Sequence, residues 1–225
     1  MESQGAPVKV GLLFDFPQAD GGEFFETAVR LGVETHADRL DRPVEFVKRL
    51  ALGLPLGTEQ EIEQAFAELR DAGVLCIIGP SISDNGLIVR ELADRSRLPC
   101  INYTGGAVTR SEYTLHYQVG SIEEEPVVLA RHLLGQSCRR VAVIYDQSPV
   151  GRGYHEFFEL AAVSLGLELT GAAAISPIAT DAVAVVERLS VGAPDALVYL
   201  GLGVAARTVA VALADVGWKA PVVAN

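Results

Sequence analysis

Hydroxyl-bearing residues at the ends of two apolar runs are the part of this sequence best suited to hold a small polar molecule. The first run, Val74 to Ile78, stops at Gly79-Pro80-Ser81-Ile82-Ser83, and the second, after Pro99, stops at Asn102-Tyr103-Thr104-Gly105-Gly106. Between them, Asp84 to Arg97 carries Leu87, Ile88 and Leu92 at helical spacing, so the stretch reads as strand, loop, helix, strand. In an open parallel sheet the carboxyl ends of neighbouring strands face one crevice, and both polar loops would meet there. Ser81 and Ser83 precede a helix whose first N–H groups have no intrahelical partner, so hydroxyls and amides together could hold a carboxylate or another acceptor. Ser83 or Asp84 could equally be no more than the helix cap. Tyr103 and Thr104 finish the next strand, and Gly105 and Gly106 let backbone approach a ligand closely. Ordinary packing at the sheet edge is the competing role for Tyr103.

Other chemistries find less support. Gly201-Leu202-Gly203-Val204-Ala205-Ala206 fits the G-x-G-x-x-A dinucleotide fingerprint, following a strand and opening a helix. It comes late in the chain, however, and the acidic ribose ligand expected about 20 residues on would fall beyond Asn225. Glycines that permit a tight turn are the favoured reading, and an NAD-dependent enzyme rests on this run alone. The sequence contains no G-x-x-x-x-G-K-[ST], no H-E-x-x-H and no G-x-S-x-G. His36, His116, His132 and His155 are scattered, and His155 with Glu159 lacks the third ligand a metal site requires. Glu123-Glu124-Glu125 is the acidic start of a helix. Cys76, Cys100 and Cys138 have no C-x-x-C spacing and read as small core residues. The expectation is therefore a non-enzymatic binding protein with no cofactor and no metal.

The elements that must position these residues alternate regularly. Strands are expected at Lys9 to Phe14, Pro43 to Leu50, Val74 to Ile78, Arg140 to Tyr145, Leu167 to Ile175, Ala196 to Leu200 and Pro221 to Val223, with a shorter one at Tyr117-Gln118-Val119. Helices are expected from Gly22 to Leu40, after Thr58, from Asp84 to Arg97, from Ser121 through Leu134, and at Gly153 to Leu165, Asp181 to Leu189 and Val204 to Val216. Thr58 with Glu61 three residues on is a capping signature. The fold class is α/β, with two lobes of mostly parallel sheet covered by helices on both faces, 8–119 and 121–225. The halves share a βαβ rhythm but no convincing sequence repeat. Eighteen basic against 29 acidic residues give a net charge of -11, which opposes polyanion binding, so nucleic acid is not an expected partner. No apolar run approaches the roughly 20 residues of a membrane helix. The amino terminus as written carries no export signal, which leaves a cytoplasmic location open beside a periplasmic or cell-surface one.

Taken in order, VKVGLLF, IGPSIS, LPCINYTGG, YQVGSIEEE, RRVAVIYDQSPVGRG and PDALVYLGLG with GWKAPVV resemble the type I periplasmic-binding-protein fold. The likeness is in particular to the leucine/isoleucine/valine-binding receptors of ABC transporters, with the carboxyl-terminal part missing. The resemblance implies two Rossmann-like lobes that close on a small molecule about a hinge near Gln118 to Ser121, and an ABC permease as partner. A cytoplasmic sensor of the same fold regulating another protein is the alternative. Ser83 matches the family serine that binds an amino acid's polar end. The family threonine falls on Gly106, leaving Thr104 as its substitute, the second-lobe tyrosine falls on Val150, and a further aromatic falls near Gly203. These departures point toward a less polar ligand. Phe14, Phe16, Tyr103, Val150 and Leu202 would form an apolar pocket oriented by Ser81, Ser83 and Thr104 beside Gly105. An amino acid, an amide or a small carboxylate fits it. Truncation would also leave Val222 and Val223 as an exposed edge through which the chain could self-associate.

Overall fold

The structure is a computed structural model and describes residues 5–16 and 23–225. It divides into two compact units, Met1–Val119 and Gly120–Asn225. Met1 to Gln4, and Gly22 at the expected start of the first helix, lie outside the described residues.

Unit 1 contains β1 (Val8–Phe14), α1 (Glu23–Thr35), β2 (Val44–Leu50), α2 (Glu59–Asp71), β3 (Cys76–Ile78), α3 (Ser83–Ser96), β4 (Cys100–Asn102) and β5 (Thr114–His116). Its sheet runs β2-β1-β3-β4-β5, every pair parallel. One face is closed by α2 and α3, whose Ile62, Phe66, Leu69 and Val89 pack with Leu13, Ile77 and Cys100 in a single cluster. Cys100 is wholly buried there, and the low-dielectric surroundings push its thiol up to about 12, as an inert core cysteine requires. The expected cap of α2 is present, with Thr58 Oγ1 accepting from Glu61 N at 3.3 Å, while Glu61 reaches back to Leu52 N at 3.0 Å. On the other face α1 lies over β1 and β2 through the Phe25–Phe14 edge contact and the Lys48–Glu26 ion pair at 3.0 Å.

Unit 2 contains α4 (Glu125–Gly135), β6 (Arg140–Asp146), α5 (Pro149–Leu165), β7 (Glu168–Ile175), α6 (Val183–Ser190), β8 (Ala196–Leu200), α7 (Ala206–Val216) and β9 (Val222–Ala224). Its parallel sheet runs β7-β6-β8-β9 and is clad on both faces. Phe158, Tyr154 and Leu133 fill the α4–α5 side, and Val186, Val209 and Leu213 fill the α6–α7 side. The first unit's β2-β1-β3-β4 and the second's β7-β6-β8-β9 have the same order, so the repeat hidden in the sequence is plain in the topology.

Several element expectations move: α1 ends at Thr35 rather than Leu40, and α4 starts at Glu125 rather than Ser121. The fifth strand is Thr114–His116 rather than Tyr117 to Val119, because the inward positions go to polar residues: Thr114 is buried and His116 Nδ1 bonds Asn102 Oδ1 at 2.7 Å, leaving Tyr117 and Val119 exposed. Helix α5 starts four residues before Gly153, where Ser148 Oγ accepts from Gly151 N at 2.9 Å and Pro149 takes the first helical position.

Candidate functional site

The turn from Gly79 to Ser83 is shaped by a residue outside it. Asp15, one position past β1, is 1% exposed, and its carboxylate accepts four hydrogen bonds. Ser81 N (2.9 Å) and Ser81 Oγ (2.7 Å) donate to Oδ1, while Ile82 N (2.9 Å) and Asn85 Nδ2 (2.9 Å) donate to Oδ2. A buried carboxylate is tolerable when amide and hydroxyl dipoles replace its water, and here they come from one turn and the first turn of α3. Asn85 in turn pins the β2–α2 loop through Leu54 N (2.9 Å) and Leu54 O (3.2 Å). The glycine of this turn is obligatory, since at Gly79, with φ 114°, a Cβ would lie 2.1 Å from Leu13 O.

The expected hydroxyls therefore separate. Ser81 donates its proton to Asp15, so it has none left for a ligand. Ser83, the first residue of α3, accepts from Gly106 N at 3.1 Å, which joins the two loops and leaves its own proton to be donated elsewhere. Thr104 is wholly buried, with its Oγ1 2.9 Å from Thr109 Oγ1 and 3.5 Å from His116 Nδ1. That network also fixes the histidine tautomer, because Asn102 Oδ1 can only accept and His116 Nδ1 must carry the proton. Thr104 is thus part of the core beneath the loop, held there by polar partners that sequence spacing does not reveal.

The loop after β4 also carries an aromatic wall, tied to the turn at Pro80 by Tyr103 N donating to Pro80 O at 3.2 Å. Tyr103 stacks on Phe25 with ring centroids 4.6 Å apart, and Phe25 meets Phe14 edge-on at 5.5 Å. Tyr103 is partly buried, and desolvation with the nearby Asp15 charge pushes its phenol pKa up, so it stays protonated. Phe14 is buried under this wall, Phe16 is exposed just beyond β1, and Gly105 is half-buried in the loop. Phe25 was missed as a wall residue because helical periodicity alone assigns it to the core stripe.

Unit 2 repeats the carboxylate device. Asp146, at the end of β6, is fully buried and accepts from Ser148 N (3.1 Å), Ser148 Oγ and Leu202 N (2.6 Å). The carboxylate fills the turn that the G-x-G-x-x-A run would offer to a pyrophosphate: a Cβ on Gly201 would lie 2.0 Å from Asp146 Oδ2. The glycine is there for an internal anion. Leu202 contributes that amide and a half-buried side chain, while Val150 is buried and faces the α4–α5 cluster; the two share one apolar core. Val150 points inward because α5 begins at Pro149, which puts it on the same face as Tyr154 and Phe158. Tyr154 in turn donates a hydrogen bond to Glu125 Oε2. A signal for both aspartates was available in the sequence. Leu13-Phe14-Asp15 and Ile144-Tyr145-Asp146 share one pattern, and an aliphatic residue followed by glycine recurs at Ile78-Gly79 and Leu200-Gly201.

Among the described residues no cluster of three or more His, Cys, Asp or Glu could hold a metal ion, and no helix is long and apolar enough to cross a membrane. A solute-binding protein of an ABC transporter from Rhodopseudomonas palustris BisB5, solved with 3,4-dihydroxybenzoic acid, superposes with a TM-score of 0.79 at 18% identity, over 97% of this chain and 61% of that one. The leucine-binding protein LivK of Thermotoga maritima gives 0.83 at 17% identity, over 96% and 63%. A leucine complex of a substrate-binding protein from Desulfitobacterium hafniense gives 0.74 at 19%, over 97% and 66%. The chain thus spans about six-tenths of the length of these structures. No curated protein sequence matches it. The family model for periplasmic binding proteins matches residues 7–225, nearly the whole chain, and agrees with the two parallel sheets. The chain belongs to the periplasmic binding protein family.

Proposed function

We propose that this chain is the solute-binding component of an ABC transporter, and that it binds a small acid with a flat or apolar body without chemically changing it. The observation that carries the reading is the pairing of Ser83 at the α3 amino terminus with the Tyr103–Phe25 wall. The serine proton and the first-turn amides suit a carboxylate, and the stacked rings suit the body attached to it. Ser81 and Thr104 act behind this surface, and Val150 and Leu202 shape the second unit's core. The ligands of the related structures, 3,4-dihydroxybenzoic acid, p-hydroxybenzoic acid and leucine, are all small acids of this kind. Delivery to a membrane permease completes the proposal. It rests on kinship with ABC substrate-binding proteins rather than on a surface of this chain.

A thermal-shift panel of hydroxybenzoates, leucine and other aliphatic acids and their amides, followed by calorimetry on the best binder, tests this. A saturable ligand raises the melting temperature by mass action. Ser83→Ala should then weaken binding about tenfold or more, the scale of one hydrogen bond to a charged group. If no acid or amide stabilises the protein, the solute-binding reading fails. If Ser83→Ala binds as the parent does, the site lies elsewhere.

A further inference from the structure

A groove of about 600 Å³ runs between α5 and β7, away from the proposed ligand contacts. Leu160, Val163, Leu167 and Leu169 wall it, and Glu156 and Glu159 stand exposed beside them. Leu160 and Val163, one turn apart on α5, are 67% and 81% exposed, which leaves an apolar face in water. Unit 1 shows why the groove is open. Phe14-Asp15 of β1 and Tyr145-Asp146 of β6 are equivalent, so the β2 partners of β1, Phe46, Lys48 and Leu50, correspond to Leu169, Ala172 and Ala174 in β7. In unit 1 Lys48 reaches Glu26 of α1 at 3.0 Å, and Arg30 of α1 lies 5.2 Å over the Phe46 ring, so long side chains bridge helix and edge strand. In unit 2 two alanines are too short to bridge. The strand beneath is itself an unpaired edge. Ile175 O accepts from Gln147 N at 2.9 Å, so alternation along β7 turns the N–H and C=O groups of Ala172 and Ala174 away from the sheet. The two glutamates lack a permanent cation as well. Among the described residues no lysine or arginine pairs with either, and Glu159 meets only the His155 ring, at 3.8 Å.

We infer that the α5–β7 groove is a docking surface for an extended, basic segment of a partner protein. The segment adds a strand to β7, sets alternate apolar side chains against Leu160, Val163 and Leu169, and brings lysine or arginine to Glu156 and Glu159. Main-chain bonds to an edge strand supply affinity in this mode of recognition, and the groove beside the strand supplies specificity. A small molecule suits the groove poorly, because none of its side chains offers a hydrogen-bond donor to orient one. A second copy of this chain suits it poorly too, since a protein of net charge -11 would set carboxylates against carboxylates. Nothing in this surface depends on a bound solute.

The test adds to the whole chain a capped peptide of alternating Lys and Val, matched to the 8 residues of β7, and follows hydrogen exchange amide by amide. The Ala172 and Ala174 amides should slow by about tenfold when free peptide stands at about ten times its dissociation constant. Val222 and Ala224, whose amides face outward on the opposite edge strand β9, should keep their rates. Binding should weaken as salt is added, and the same peptide N-methylated at alternate residues should not bind, because it cannot pair with a strand. Glu156→Lys combined with Glu159→Lys alters only exposed side chains, so the fold should survive, and the preference should pass to a peptide of alternating Glu and Val. Unchanged exchange at Ala172 and Ala174, equal slowing at β9, or a preference unmoved by the charge reversal would overturn the inference. Concentration-dependent dimerisation that Val163→Lys abolishes would overturn it too, by giving the groove to a second copy.

Discussion

A missing methyl group is the clearest functional sign at the scale of single residues. Gly201 and Gly203 look alike in the sequence, yet only the first has its space taken, by the Asp146 carboxylate 2.0 Å from where a Cβ would stand. Gly203, at φ 77°, faces open space. Gly201→Ala should therefore destabilise by about 2–4 kcal/mol, through displaced carboxylate and broken hydrogen bonds, and Gly203→Ala by only about 1–2 kcal/mol of backbone strain. Urea unfolding of the two variants checks the order, and equal losses would mean that Asp146 does not fill the turn. His155 gives a pH-dependent case. It stacks on Tyr145 at 4.0 Å, and burial holds its imidazole below the ordinary 6.5 although Glu159 and Glu156 act the other way. The folded chain resists a proton that the unfolded chain accepts, so its stabilising share is full above 6.5 and falls as pH drops through and below that value. His155→Phe keeps a ring on Tyr145 and should flatten the fall in stability between about pH 7 and about pH 5. An unchanged slope would assign the acid sensitivity to other groups.

At the scale of elements, the alternation of strands and helices was legible because each buried strand is a short apolar run closed by Gly, Pro or a polar cluster. The start of α5 was legible too, in the Ser148-Pro149 pair, had capping been weighed above apolar spacing. Ser148 does two things at once, capping Gly151 N and binding Asp146, so Ser148→Ala should cost about 1–2 kcal/mol, at the upper end for a cap. Exchange at the Gly151 amide would report the loss, and protection there equal to the parent's would show the cap to be dispensable. The candidate site was only partly legible. Ser83 and Tyr103 could be picked out by type and position, but a sequence shows which side chains can donate a proton, not which acceptor the fold supplies. Asp15 lies 66 residues before Ser81, and Thr109 and His116 take up Thr104 through contacts that no local pattern encodes.

The two units differ in how completely the chain covers them. In unit 2 both faces of the sheet carry a cluster, each built from residues of that unit alone. In unit 1 one face is closed by α2 and α3, but on the other Leu12, Ile78, Ile101 and Leu115 form one row across β1, β3, β4 and β5. Leu12 is fully buried beside α1, Ile78 and Ile101 are partly buried, and Leu115 is 66% exposed, so cover thins with distance from α1. Helix α1 itself buries no residue fully. Since burial of apolar area supplies most of the free energy that opposes chain entropy, the units should separate in stability. Residues 120–225 expressed alone should fold with a cooperative urea transition and ordered near-ultraviolet dichroism. Residues 1–119 alone should bind an apolar dye such as ANS and unfold at lower denaturant. The exposed row gives the control: Leu115→Lys should reduce dye binding by 1–119 without lowering its midpoint, because the side chain has little burial to lose. A 1–119 fragment that is dye-silent and as stable as 120–225 would show that α1 covers its face of the sheet well enough, and the ranking of the two units would be wrong.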